Sequence, residues 1–302
     1  MSTATARTSS PAFAPLDYAL YATTVAAWSL SWFALSEQVG VVAVEVSLVY
    51  RFAMATAMMV AWVLWRGDAM RFAVRDHLIF LAMGVCLFSM NFNLFYYASQ
   101  YIVSGLLSVV FSLASVINIV LAFLLTRERP AGGVVFGALL GVCGIAALFA
   151  PSLVEGAGTG VSFGLALCVV GTLFFCVGNQ FSARLQARKV SVIAASAWGM
   201  AYGTLASLAL ALAKGEPFLF DTSVNYVASL LWLAIVSTVI AFASYLTLVG
   251  RIGPGRAGYA TVIFPVFALL ASTWLEGYQW TPLAVLGLVL VLSGNVFVIR
   301  GR

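Results

Sequence analysis

Few side chains in this sequence could do chemistry, and their types favour binding over bond making. There is one histidine, His77, and no acidic pair shares a mid-helix face, so a Ser or Cys nucleophile would lack a base. The four cysteines, Cys86, Cys143, Cys168 and Cys176, lie in apolar runs without metal-ligand spacing and read as packing residues. No enzyme activity, cofactor or metal is expected. Rings, amides and hydroxyls remain, and residues three, four and seven apart share a helix face. That rule gives stripes through Trp28 and Ser31/Trp32, through Cys86, Ser89, Asn93 and Tyr96/Tyr97, through Ser108, Ser112 (or Phe111) and Asn118, and through Thr172, Cys176 and Asn179. Ser237, Ser244 and Tyr245 make another, and Tyr259 and Thr261 stand above Pro265. Rings can take an ammonium by cation–π contact while dipoles or helix termini take a carboxylate, which suits a small zwitterion.

The elements that position these residues are membrane helices. Leu78–Thr126 runs for 49 residues without a charged side chain, enough for two crossings of about 20 residues each joined at Ser99–Ser104. Polar groups at that depth mark packing seams or a pathway. The whole chain of 302 residues is 63% hydrophobic and 8% charged, with a mean hydropathy of +1.06, far from a water-soluble composition. Its net charge of +5 is scattered singly, with no basic face to follow phosphates, so no nucleic-acid partner is expected.

After a tail at residues 1–15 without periodicity, the sequence predicts ten helices near residues 18–36, 44–65, 78–98, 104–125, 131–150, 161–183, 192–213, 226–249, 255–275 and 282–299. Thirteen of the fifteen Lys and Arg fall in one set of alternate loops and Lys214 alone in the other, with Arg51 inside helix 2. This puts both termini in the cytoplasm. An offset of 148 residues maps Phe33 to Phe181, Tyr97 to Tyr245 and Glu128 to Glu276. With a two-residue shift, Gly137 and Gly144 map to Gly287 and Gly294. The fold expected is therefore all-α, two five-helix repeats (residues 16–151 and 158–302) in one membrane domain. Five crossings per repeat invert the second copy, a device of secondary transporters with a midplane site.

Trp28-Ser29, Arg51-Phe52, Glu128-Arg129, Pro265 eleven residues before Glu276, and the repeated glycines make the chain similar to the drug/metabolite transporter superfamily in its ten-helix, EamA-type form. Asn91-Phe92-Asn93 and Tyr96-Tyr97 most resemble bacterial exporters of aromatic and other neutral amino acids. Two departures touch helix 4: Ile117 stands where the second repeat has Pro265, and Thr126-Arg127-Glu128 replaces the commoner Gly-Glu ending. The resemblance implies that helices 1, 3, 4, 6, 8 and 9 enclose the cavity, with 5 and 10 peripheral, and that the protein resides in the bacterial inner membrane.

The substrate-binding residues expected are Trp28, Ser31, Trp32, Asn93, Tyr97, Ser112, Asn179, Tyr245 and Tyr259, with Pro265 as a hinge or a static kink. Membrane Ser and Thr commonly bond their own backbone, which is the competing reading of each hydroxyl. Arg51 is expected to pair with Glu45 or to snorkel outward. Gly137-xxx-Gly141 and Gly199-xxx-Gly203 read as close-packing surfaces, with a homodimer contact as the alternative to a monomer. The function expected is facilitative export of small neutral amino acids (aromatic, Met, Thr-like) by alternating access. The alternative is a proton-coupled exporter of drugs or other metabolites.

Overall fold

The computed structural model describes residues 14–127, 131–154, 158–252, 257 and 260–300, and these contain no strand. Ten rods follow in order: α1 (Pro15–Ser36), α2 (Val44–Arg66), α3 (Val74–Ala98), α4 (104–126), α5 (Gly132–Val154), α6 (Gly158–Ala187), α7 (Val192–Lys214), α8 (224–252), α9 (Ala260–Leu275) and α10 (Pro282–Arg300). Six of them, α2, α3 and α5 to α8, are long and apolar enough to cross a bilayer; α4, α9 and α10 carry shorter apolar runs. The N-terminal tail, Glu128, Arg129 and Tyr259 lie outside the described residues.

Local signals set the ends. Pro15 opens α1, where its missing N–H costs nothing, and the Asp17 carboxylate accepts the Ala14 N–H at 2.8 Å. Gly67 (φ 69°) and Gly215 (φ 71°) close α2 and α7 in the left-handed conformation that glycine adopts without a Cβ clash. These two glycines are themselves 148 residues apart.

The duplication reappears in backbone geometry. A π segment interrupts α3 at Val85–Met90 and another interrupts α8 at Trp232–Ile240, at equivalent places once 148 is added. Packing follows the same inversion: α1 lies on α8 and α9, and α6 lies on α3 and α4. The repeated glycines bring α5 and α10 into backbone contact, with Gly137 facing the Gly294 carbonyl and Gly144 facing that of Gly287. Exchanging the repeats turns one of these contacts into the other, which is what a twofold relation between antiparallel helices requires. Outward, this pair shows Val135, Leu139, Val285 and Val289, an apolar flank suited to lipid.

The small-residue surfaces are spent inside the chain. Gly137-xxx-Gly141 meets Gly294, and Gly199 and Gly203 admit Gly84, Met83 and Phe88 of α3. Two expectations need correction. The third helix begins at Val74, because Asp76 sits favourably in its first turn and pairs with Arg188 at 2.6 Å. The fourth helix is broken, not continuous: around Ser112–Leu113 the amides switch to i−3 carbonyls, and the Ser112 hydroxyl donates to the Val109 carbonyl at 2.6 Å.

Candidate functional site

Each of the six helices α1, α3, α4, α6, α8 and α9 contributes an aromatic ring to one connected cluster. Trp28 and Trp32 lie one turn apart on α1 and face inward together. Around Trp32 stand Phe95 (5.2 Å between ring centroids), Phe111 (5.5 Å) and Phe264, stacked at 6.3 Å with an interplanar angle of 11°. Phe111 reaches Phe175 at 4.6 Å, and Trp28 reaches Tyr245 at 5.2 Å. Offset and edge-on pairs of this kind are each worth about 0.5–1.5 kcal/mol beyond their area burial. Among the described residues, no charged side chain is part of the cluster.

Polar handles are sparse. The Trp28 indole N–H donates to the Ser237 carbonyl at 3.3 Å, inside the π segment of α8, where departure from α geometry alters the carbonyl pairing. Asn179 lies one turn beyond Phe175 on α6, half-buried and without a hydrogen-bond partner among the described residues. Pro265 follows Phe264 within α9, removing one backbone donor next to the rings.

The structure therefore gathers Trp28, Trp32 and Tyr245, with Asn179 beside them. Ser31 and Ser112 give their protons to the Ala27 and Val109 carbonyls of their own helices. Asn93 turns back on its own helix: its amide donates to the Ser89 carbonyl at 3.0 Å, and Ser89 in turn meets Ser207 of α7 at 3.0 Å. Tyr97 sits at the Lys/Arg-poor end of the bundle. Sequence reasoning did not single out Phe95, Phe175 and Phe264. Their signal was present, since Phe264 adjoins Pro265 and Phe175 shares a face with Asn179.

Neither expectation for Arg51 holds. The residue is 3% exposed, so it does not snorkel, and Glu45 is committed elsewhere. The guanidinium carbon lies 4.4 Å from the Phe92 ring centroid and 5.1 Å from that of Phe52, with Nη1 3.5 Å from the Tyr96 hydroxyl. Two rings form a slot for a planar cation, which a guanidinium fits better than an ammonium. Glu45 Oε1 instead accepts from Lys214 Nζ (2.6 Å) and the Tyr97 hydroxyl (2.6 Å).

Charged links between the two halves sit at both ends. Asp17 pairs with Arg251, and Asp76 with Arg188, at the Lys/Arg-rich end. At the other end are Glu45–Lys214 and Glu276, which accepts the backbone N–H of Ser104 at 3.1 Å and its hydroxyl at 2.6 Å. Ser272 and Ser36 complete the Glu276 shell. A carboxylate at the first amides of α4 complements the helix dipole.

An inverted helical duplication around an uncharged aromatic centre, tied by charge pairs at both ends, is the architecture of a membrane transporter. The chain belongs to the EamA-like transporter family, whose profile matches residues 17–150 and 162–300. An uncharacterized transporter of Archaeoglobus fulgidus is 26% identical over 93% of this chain and 98% of its own length. A probable amino-acid metabolite efflux pump of Escherichia coli is 27% identical over 66% of this chain and 69% of its own. One solved crystal structure, 16% identical, superposes with a TM-score of 0.66 over 93% of this chain and 96% of that one, a likeness of fold.

Proposed function

We propose that this transporter exports small neutral amino acids, aromatic ones above all, by facilitative alternating access. One observation carries the reading: the six-helix aromatic cluster has no fixed charge, so it favours a substrate with no net charge and an apolar side chain. Trp28, Trp32 and Tyr245 supply aromatic faces at the centre in this reading, Tyr259 a further one and Tyr97 one at the mouth, while Asn179 supplies a free dipole; Asn93, Ser31 and Ser112 spend their donors on carbonyls of their own helices and position the wall. The two halves rock about that centre, with Pro265 as the hinge and the charge pairs at each end breaking in turn. The name of the Escherichia coli relative supports the substrate class. The Lys/Arg asymmetry supports a bacterial inner membrane placement with both termini cytoplasmic.

A second reading has a specific observation behind it. Glu45 is fully buried and Glu276 is half-buried, and buried carboxylates are the groups that proton-coupled exporters of drugs or metabolites use. Uptake of labelled Phe, Met, Thr and a drug cation into proteoliposomes, with and without a pH gradient, separates the two. Saturable amino-acid uptake that stops at equal concentrations supports the facilitative carrier. Accumulation that strictly needs the gradient, or uptake of the cation alone, overturns it.

A further inference from the structure

Glu45 has no exposure to solvent, yet only one of its two carboxylate oxygens is used. Oε1 takes both Lys214 and Tyr97, while Oε2 has no hydrogen-bond partner among the described residues. Leaving a buried acceptor unmade is costly, and more so for a charged one, so such an arrangement calls for a reason. The residue forms part of the wall of a cavity of about 320 Å³, with Val39, Gly40, Tyr97, Gln100 and Glu216. That volume is at the lower end of small-molecule sites.

Charge says which ligand fits. Six of the ten acidic residues (Glu37, Glu45, Glu155, Glu216, Asp221 and Glu276) belong to this end by sequence, against Lys214 as the one basic residue of its loops and Arg51 buried about 9 Å further along α2. A mouth of one sign concentrates ligands of the other. Lys214 itself displays the chemistry. Its Nζ donates to Glu45 Oε1 at 2.6 Å and to the Tyr97 hydroxyl at 2.8 Å, and lies 4.9 Å from the centre of the Tyr97 ring. This is a seat for a primary ammonium: carboxylate and hydroxyl, with the Tyr97 ring at its edge. The occupant is a side chain 42% exposed, held by a flexible tether.

We propose that Glu45 and Tyr97 form a second subsite, for the ammonium group of a primary amine or zwitterion passing through this mouth, and that Lys214 is the tethered occupant it displaces. The inference deepens the amino-acid reading and rests on it for the direction of passage only. An incoming ammonium that also reaches the unused Oε2 gains a second hydrogen bond, which offsets the loss of the Lys214 contact. Glu45 and Tyr97 belong to the first half and Lys214 to the second, so the exchange releases one of the two charged links at this end.

Equilibrium binding to the purified full chain tests it with three probes sharing one ring: phenethylamine, phenylalanine and phenylacetate. Removing a tethered competitor restores the fraction of sites it occupied, so Lys214→Met should tighten phenethylamine and phenylalanine by about tenfold and leave phenylacetate unchanged. The double variant Glu45→Gln/Lys214→Met leaves no unpaired buried charge and should lose that gain. Tightening of phenethylamine as great as that of phenylalanine identifies a free amine as sufficient; tightening of phenylalanine alone identifies a zwitterion. Unchanged or weaker ammonium binding in Lys214→Met, or full retention of the gain in the double variant, overturns the subsite. Glu45-dependent phenethylamine binding by a protein that moves no amino acid would leave the subsite standing and sink the transport reading. The reverse result would do the opposite.

Discussion

Gly144 packs so tightly on Gly287 that a Cβ built on the first would lie 2.6 Å from the carbonyl oxygen of the second. The reciprocal distance is 2.5 Å. Gly144→Val should therefore force α5 from α10 and destabilise the protein by about 1–3 kcal/mol, the usual cost of overpacking. Thermal unfolding in detergent reads this directly. Gly132→Ala, where nothing stands within 4 Å of the new carbon, is the matched control and should melt like the wild type.

Trp32 touches rings from three other helices, and Asn93 touches none of them. Trp32→Phe keeps an aromatic face with less area, and should lower the amino-acid uptake rate by about tenfold, equivalent to 1.4 kcal/mol of barrier. Asn179→Ala should cost uptake while leaving the melting temperature within a few degrees. Asn93→Ala should do the opposite, lowering the melting temperature through the Ser89–Ser207 seam with uptake nearly intact. Equal uptake by Trp32→Phe and the wild type would remove the aromatic centre as the substrate site.

Much of this molecule is legible in its sequence. The ten apolar runs, the turn at Ser99–Ser104 and the close-packing role of the glycines follow from hydropathy and periodicity, because lipid enforces helices and small residues mark close contacts; that the repeated glycines of α5 and α10 meet each other does not. Trp28, Trp32 and Tyr245 stand out as unusual residues deep in helices. Phe95, Phe175 and Phe264 stand out less, since among 22 phenylalanines only neighbours such as Pro265 and Asn179 mark two of the three. A 3.6-residue period runs the α3 stripe straight through Val85–Met90, where the π segment changes the turn. Residues beyond it point elsewhere: Phe95 reaches the centre, while the Asn93 amide turns back to Ser89. The Glu45–Lys214 pair spans 169 positions, and no local rule prefers it over the nearer Arg51.

Arg51 offers a test in which charge removal is not harmful. Replacing a buried cation by an apolar chain of similar length is often neutral or stabilising. Arg51→Met should leave the melting temperature unchanged or raise it. Arg51→Lys, by contrast, keeps the charge and loses the planar fit between Phe52 and Phe92, and should cost about 0.5–2 kcal/mol. If the lysine variant is the more stable of the two, the ring slot is not what holds this side chain.

Glu276 makes a prediction about helix nucleation. Its carboxylate holds the first amide of α4 and three serine hydroxyls. Glu276→Gln removes the charge at a helix N-terminus and should cost about 0.3–2 kcal/mol, seen as faster amide exchange at Ser104 and Gly105. Exchange there at the wild-type rate would show that the serines alone cap α4.

The paired π segments carry a historical consequence. An i→i+5 turn holds one residue more than the α-turn it replaces. The spacing of 148 holds on both sides of it, from Phe33/Phe181 and Gly67/Gly215 before to Tyr97/Tyr245 after. A residue gained by only one half would have put those pairs out of step. The surplus residue was therefore already in the ancestral five-helix unit when its gene doubled, and both descendants have kept it while most of their side chains diverged.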